Sequence, residues 1–114
     1  MGRTWAATIA DQETQLGRDT VMRMAKIFVA DSRNLLSSIG ASLSRNEFAT
    51  ARIAAHDLAA GANALCFMTL EDSVHELESA CVARDHARAA GRHKDLFALV
   101  DICIVQLRDR YQLP

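Results

Sequence analysis

Almost nothing in this sequence can break a helix. The only proline is the final residue, Pro114, and just five glycines are spread along 114 residues. A β-rich fold needs Gly, Pro and Asn-Gly punctuation every few residues to turn its strands, and that punctuation is missing. The chain is therefore expected to be all-α. Half of its residues are hydrophobic, and a chain of this length encloses one core more comfortably than two, so residues 1–114 are read as a single domain.

The hydrophobic pattern divides the chain into five helical segments. A short one around Thr4 to Gln15 carries Trp5, Ala6, Ile9 and Ala10, and is expected to be a small lid. From about Arg18 to Ser42, Val21, Met24, Ala25, Phe28, Ser32, Leu35, Ile39 and Leu43 recur at the 3–4 spacing of one buried stripe. Ser44-Arg45-Asn46-Glu47 has the S-x-x-E form of a capping box and predicts the start of a second long helix. The buried stripe of that helix is Phe48, Ala51, Ala55, Leu58, Ala62 and Leu65, with Gly61 a mild cost. The phase shifts near Cys66 to Met68, where Thr69 reads as an N-cap followed by acidic residues. A third long helix then carries Leu70, Val74, Leu77 and Cys81, giving way near Asp85 to a polar, alanine-rich stretch that ends in Gly91. The last helix, about Arg92 to Tyr111, aligns Leu96, Val100, Cys103, Leu107 and Tyr111, widened by Phe97 and Ile104. Short connections favour antiparallel neighbours, so the expected architecture is an up-down-up-down four-helix bundle with a short extra N-terminal helix.

Composition excludes several functions. The formal net charge of −1, from 13 basic against 14 acidic residues, provides no field for nucleic acid or an anionic membrane. No apolar run approaches the roughly 18 residues of a membrane span, and the N-terminus lacks a signal-peptide core, so a cytoplasmic protein is expected. Cys66, Cys81 and Cys103 are odd in number and lack C-x-x-C spacing, which reads as free thiols in the core. His86 with His93, or His75 with Cys81, offers no metal-site spacing, and no metal is expected. His75 reads as solvated, His86 and His93 as lying in or beside a loop. Cys66 lies too far from His56 along one helix to form a nucleophile and base pair. The stretch from Arg52 to Gly61 lacks the turn of a helix-turn-helix.

One surface stands out. Each helical residue advances by about 100°, which places His56 off the stripe of Phe48, Ala55, Leu58 and Ala62 and toward solvent. Its same-face neighbours are Ala49, Arg52, Ile53, Ala59, Ala60 and Asn63, mostly small where a solvated face would carry long charged side chains. An imidazole standing clear of small neighbours is available as a nucleophile near neutral pH, and small neighbours let a partner approach closely. These six residues are the expected docking face, with Arg52 able to attract an anion.

The segment Ala54-Ala55-His56-Asp57-Leu58, followed by Leu70, Val74 and Leu77-Glu78, resembles the histidine-containing phosphotransfer (HPt) domain of bacterial two-component phosphorelays. That family carries A-H-x-L-K-G around its phosphorylated histidine and L-x-x-x-C-x-x-L-E in the next helix. The similarity extends upstream to Leu16-Gly17-Arg18-Asp19 and Ile27-Phe28-Val29, and downstream to Arg84-Asp85, covering roughly residues 16 to 85. Here Ala59 stands for the usual lysine and Ala60 for the usual glycine, with Gly61 one position late, so a cation near the phosphoryl group is missing. The resemblance implies a monomeric phosphoryl carrier rather than an autonomous enzyme. His56 would relay phosphate between aspartates of response-regulator receiver domains, or from a hybrid sensor histidine kinase. It would need no cofactor of its own, the Mg²⁺ belonging to the receiver. The competing expectation is a non-catalytic helical module that binds a partner through the same face.

Overall fold

The computed structural model describes residues 2–114. Five helices account for nearly all of them: α1 (Trp5–Leu16), α2 (Arg18–Ser44), α3 (Phe48–Ala64), α4 (Met68–Val82) and α5 (His86–Tyr111). No strand occurs among the described residues. α3 packs against α2 and α4, α5 closes the ring by packing against α4 and α2, and α1 lies on α2. One continuous core runs through this ring, from Ile9 and Val21 through Leu58, Leu70 and Leu77 to Leu96 and Leu107.

The turns explain why so few glycines suffice. α2 ends with Asn46 in the left-handed region, where the Asn46 amide donates to the Leu43 carbonyl and the Glu47 amide to the Ser42 carbonyl. The same pair of bonds recurs after α3, with Cys66 left-handed, and after α4, with Arg84 left-handed. Each is a Schellman ending, which uses the outgoing amides to satisfy carbonyls that the helix leaves orphaned. Three ordinary residues thus hold a conformation that usually favours glycine.

These turns overrule both caps expected from the sequence. Ser44 is the last residue of α2 and its hydroxyl donates to the Ala41 carbonyl, so no Ser44–Glu47 capping box forms; Glu47 is itself the N-cap of α3. Thr69 is the second residue of α4, which starts behind Phe67 without a side-chain cap. In α2 the buried stripe passes through Leu36, with Leu35 only half-buried. In α5 Ile104 is buried, whereas Phe97 is exposed and meets His93 edge-on.

The largest correction concerns residues 86–91, expected as a polar stretch before the last helix. They form the first turns of α5, capped by the Asp85 carboxylate, which accepts from the Arg88 amide. His86 and His93 are therefore helical. His86 Nε2 donates to the Leu43 carbonyl at 3.1 Å and His93 Nε2 to the Leu36 carbonyl at 2.7 Å, two cross-links to α2. Farther along, Arg33 of α2 pairs with Asp101 of α5 at 2.9 Å. Gly40 makes room for one of these histidines: a Cβ there would stand 2.9 Å from the His93 ring. Gly61 similarly receives the Phe28 ring, 3.3 Å from where a Cβ would be.

At the far end, α1 is tied down by Glu13. Its carboxylate accepts from Arg110 Nη2 at 2.7 Å and from the Tyr111 hydroxyl at 2.6 Å. The Arg110 guanidinium holds the Glu13 carboxyl down to about 2, and burial pushes the Tyr111 phenol up to about 12.

Two predictions follow from these placements. Gly91 is helical, and a Cβ there would meet nothing within 4 Å; Gly91→Ala should therefore raise stability by about 1 kcal/mol in urea denaturation, whereas Gly40→Ala should lower it. Glu13 has a depressed folded pKa, so its contribution is complete above the ordinary carboxylate pKa of about 4.3 and drains away as pH falls toward 2. Wild-type stability should fall by on the order of 2 kcal/mol across that window through this group. Glu13→Gln should be less stable at pH 7 and show a shallower acid decline.

Candidate functional site

The site follows from the phase of α3. Ala51, Ala55, Leu58, Ala59 and Ala62 are buried, which commits one face of the helix, about 100° of its circumference, to α2 and α4. Ala49, Arg52, Ile53, His56, Asp57, Ala60 and Asn63 fall on the remaining arc and are exposed. His56 lies at its middle, with 72 % of its side chain accessible. Ala59, expected on this face, is 2 % exposed and belongs to the core. Three residues beyond His56 the helix has already rotated into contact with its neighbours.

The imidazole is not isolated. Glu78 of α4 places Oε2 3.7 Å from His56 Nδ1, too far for a direct hydrogen bond but near enough to bias the ring electrostatically. Glu78 is well placed to do so because its side chain is only 15 % accessible, and because Val74 and Leu77, both fully buried, fix the rotation of α4. Its other oxygen, Oε1, lies 3.0 Å from His75 Nδ1. His75 Nε2 faces Glu71 at 3.7 Å, and Glu71 in turn accepts from the Asn63 amide at 3.3 Å. A polar chain therefore runs Asn63, Glu71, His75, Glu78, His56, crossing from α3 to α4 and back.

Of the expected docking residues, the structure brings Ala49, Arg52 and Ile53 together with His56 around one shallow groove, completed by Asp57 and Glu78. Ala60 lies exposed on the same arc. Asn63 is exposed but its amide is engaged with Glu71. A second shallow groove, lined by Arg52, His75, Glu78, Ser79 and Val82, shares Arg52 and Glu78 with the first. On the other flank of α3 a further apolar groove opens against α2, floored by Phe28, Leu58 and Leu65, with Ile27 and Asp57 among the residues lining it.

His75, read from sequence as merely solvated, and Glu71 with it, were not identified as parts of this surface. The spacing Glu71, His75, Glu78 is i, i+4, i+7 and marks one face of α4. What the sequence lacks is the crossing of α3 and α4 that brings this face to His56.

The cysteines offer no competing chemistry. Burial pushes all three thiols above their ordinary value, Cys103 to about 12, and none forms a disulfide. Protonated thiols at neutral pH are poor nucleophiles. Among the described residues, no group of three or more His, Cys, Asp or Glu side chains is placed to hold a metal ion, and no helix is long and apolar enough to cross a membrane.

The fold and the site together define an all-helical module with an exposed imidazole midway along a small-residue helix face. The Hpt domain family model matches residues 23–112, and the chain belongs to the Hpt domain family. No curated protein and no solved structure matches it. Hpt domains take part in phosphotransfer within phosphorelays, working with response-regulator and kinase partners.

A carboxylate 3.7 Å from Nδ1 is expected to favour the tautomer with hydrogen on Nδ1 by its field, leaving the lone pair on Nε2. Glu78→Gln should raise the share of the Nε2–H tautomer of His56, visible in ¹⁵N chemical shifts of the ring. An unchanged tautomer ratio would show that the carboxylate does not orient the ring.

Proposed function

We propose that His56 is the phosphoryl-accepting residue of this Hpt domain and that the chain relays phosphate between aspartates of receiver domains. The observation that carries this reading is the exposure of His56 midway along α3, with Nδ1 facing Glu78 and Nε2 free. The other histidines differ: His86 and His93 are hydrogen-bonded to α2 carbonyls, and His75 is engaged with Glu78.

The step needs few parts. The Nε2 lone pair attacks phosphorus of a receiver's aspartyl phosphate in line, the P–N bond forms as the P–O bond breaks, and the aspartate leaves as a carboxylate. The Nδ1 proton stays, and the positive charge acquired by the ring faces the Glu78 carboxylate. Reversal of the same step onto a second aspartate completes the relay. Positioning and charge stabilisation dominate such transfers. In this reading the Mg²⁺ that neutralises the phosphoryl oxygens belongs to the receiver, and this chain contributes no metal.

Residues 1–114 act in this proposal as one monomeric carrier module in the cytoplasm, with an up-down-up-down course and α1 as an added N-terminal helix. The pairings of His86 with Leu43, His93 with Leu36, and Arg33 with Asp101 support opposite directions for α2 and α5. The exposed small side chains Ala49 and Ala60, together with Ile53, form the rim on which a receiver seats, and the absence of bulk there lets its acidic pocket reach Nε2.

Incubation with a phosphorylated receiver from the same organism should place an acid-labile, alkali-stable phosphate on the protein, and His56→Gln should abolish it while leaving the melting temperature within about 2 °C, as for a surface substitution. Labelling that persists in the mutant would remove His56 from the role.

A further inference from the structure

The charge around His56 poses a problem for a group that must receive a phosphoryl dianion. Two carboxylates, Asp57 and Glu78, line the His56 groove, and a phosphoryl group carries a charge of about −1.5 to −2 near neutral pH. Position 59, one turn along, is a buried alanine and supplies no cation. Among the described residues, Arg52 is the only lysine or arginine lining either this groove or the adjoining one.

Arg52 is also uncommitted. Among the described residues Arg52 forms no ion pair within 4 Å, even with Glu78 in the same groove, whereas Arg3, Arg18, Arg33, Arg92 and Arg110 each pair with a carboxylate. His56 and Arg52 are four residues apart on α3 and line the same groove. The thiol of Cys81 records where these charges sit: burial pushes it up, Glu78 acts in the same direction, and Arg52 opposes them. Arg52 and Glu78 both line the His56 groove and the groove adjoining it, so Arg52 stands on the α3–α4 side of the imidazole.

We infer that Arg52 is the phosphoryl-holding cation of this domain, donating from its guanidinium to the phosphoryl oxygens on His56 Nε2 and offsetting Asp57 and Glu78. The inference rests on the phosphohistidine reading above. A planar guanidinium with several N–H donors suits this task, and one turn of helix is within its reach.

Phosphoramidate tests it without a receiver. The Nε2 lone pair attacks phosphorus, the P–N bond of the reagent breaks and ammonia leaves, giving phosphohistidine directly. Wild type, Arg52→Gln, Arg52→Lys and His56→Gln would be loaded in parallel, and the ³¹P resonance followed as a function of pH. Loss of the cation should raise the phosphoryl pKa by about half a unit or more and slow loading several-fold, since an adjacent positive charge favours the dianion. Arg52→Lys should recover most of the pKa shift and less of the rate, because the charge is restored without the bidentate geometry. A loaded Arg52→Gln protein that titrates and loads like wild type would overturn this role and leave His56 as the acceptor. Failure of wild type to load, or loading undiminished in His56→Gln, would overturn both readings together.

Discussion

The burial of one face of α3 is the constraint on which the rest of the molecule depends. Ala51, Ala55, Leu58, Ala59 and Ala62 fix the rotation of the helix about its axis, and α2 and α4 hold it from both sides. A slip by one residue would turn the helix by about 100° and carry the imidazole toward a neighbour while driving Ala55 or Leu58 toward solvent. Each buried leucine stabilises the correct phase by about 1.5–3 kcal/mol, so the orientation of His56 is secured by apolar packing that never touches it. The same packing explains why the position three residues after His56 cannot serve as a freely projecting cation here. Its Cβ starts inside the core, and a long basic side chain would have to thread out between helices.

Charge around the imidazole is arranged along the α3–α4 seam. The chain from Asn63 through Glu71, His75 and Glu78 gives the Glu78 carboxylate a fixed partner on one oxygen, which leaves the other facing His56. In the proposed transfer, a carboxylate held in this way would orient the ring and offset the positive charge that develops on it. It would also repel a phosphoryl group on the ring. In the proposed carrier role that repulsion would help the phosphorylated state to surrender the group again, with a cation to keep it from being prohibitive. The balance between Glu78, Asp57 and Arg52 is thus a property of the groove as a whole.

The sequence revealed the elements whose signal is local. Five helices, the stripes of α3 and α4 and the exposure of His56 all follow from spacing of apolar residues, and all appear in the structure. The start of α2 at Arg18 follows as well, whereas the starts of α3, α4 and α5 do not. Ser44-x-x-Glu47 has the right letters for a capping box, but the Schellman turn through Asn46 had already used the Glu47 amide on the Ser42 carbonyl. The breaks near Cys66 and Asp85 are legible in the hydrophobic phase, but their left-handed geometry is not, because Cys66 and Arg84 carry none of the usual preference for left-handed backbone. The N-terminal turns of α5 read as a polar stretch because His86 and His93 find their partners in backbone carbonyls on α2, forty and more residues away. His75 was underrated for the same reason: its spacing from Glu71 and Glu78 is visible, but the crossing of α4 with α3 is not.

α1 shows how a segment outside the matched family region can still bear on the site. The family match begins at residue 23, after α1 has ended. Yet Trp5 Nε1 donates to the Leu65 carbonyl at 2.8 Å, and Gln12 Nε2 donates to the Ala64 carbonyl at 3.0 Å, at the C-terminal end of the helix that carries His56. The Trp5 ring also stacks on Phe67, whose centroid lies 5.1 Å away, beside the left-handed turn at Cys66. The terminal carbonyls of a helix have no acceptor role within it, and without a donor they would need water beneath the indole. α1 supplies those donors and covers the aromatic contact, while Glu13 fastens its other end to Arg110 and Tyr111 of α5. The last turn of α3 is thereby tied to α1, and through Glu13 to α5, which opposes fraying at the end nearest Asn63, where the polar chain that leads back to His56 begins.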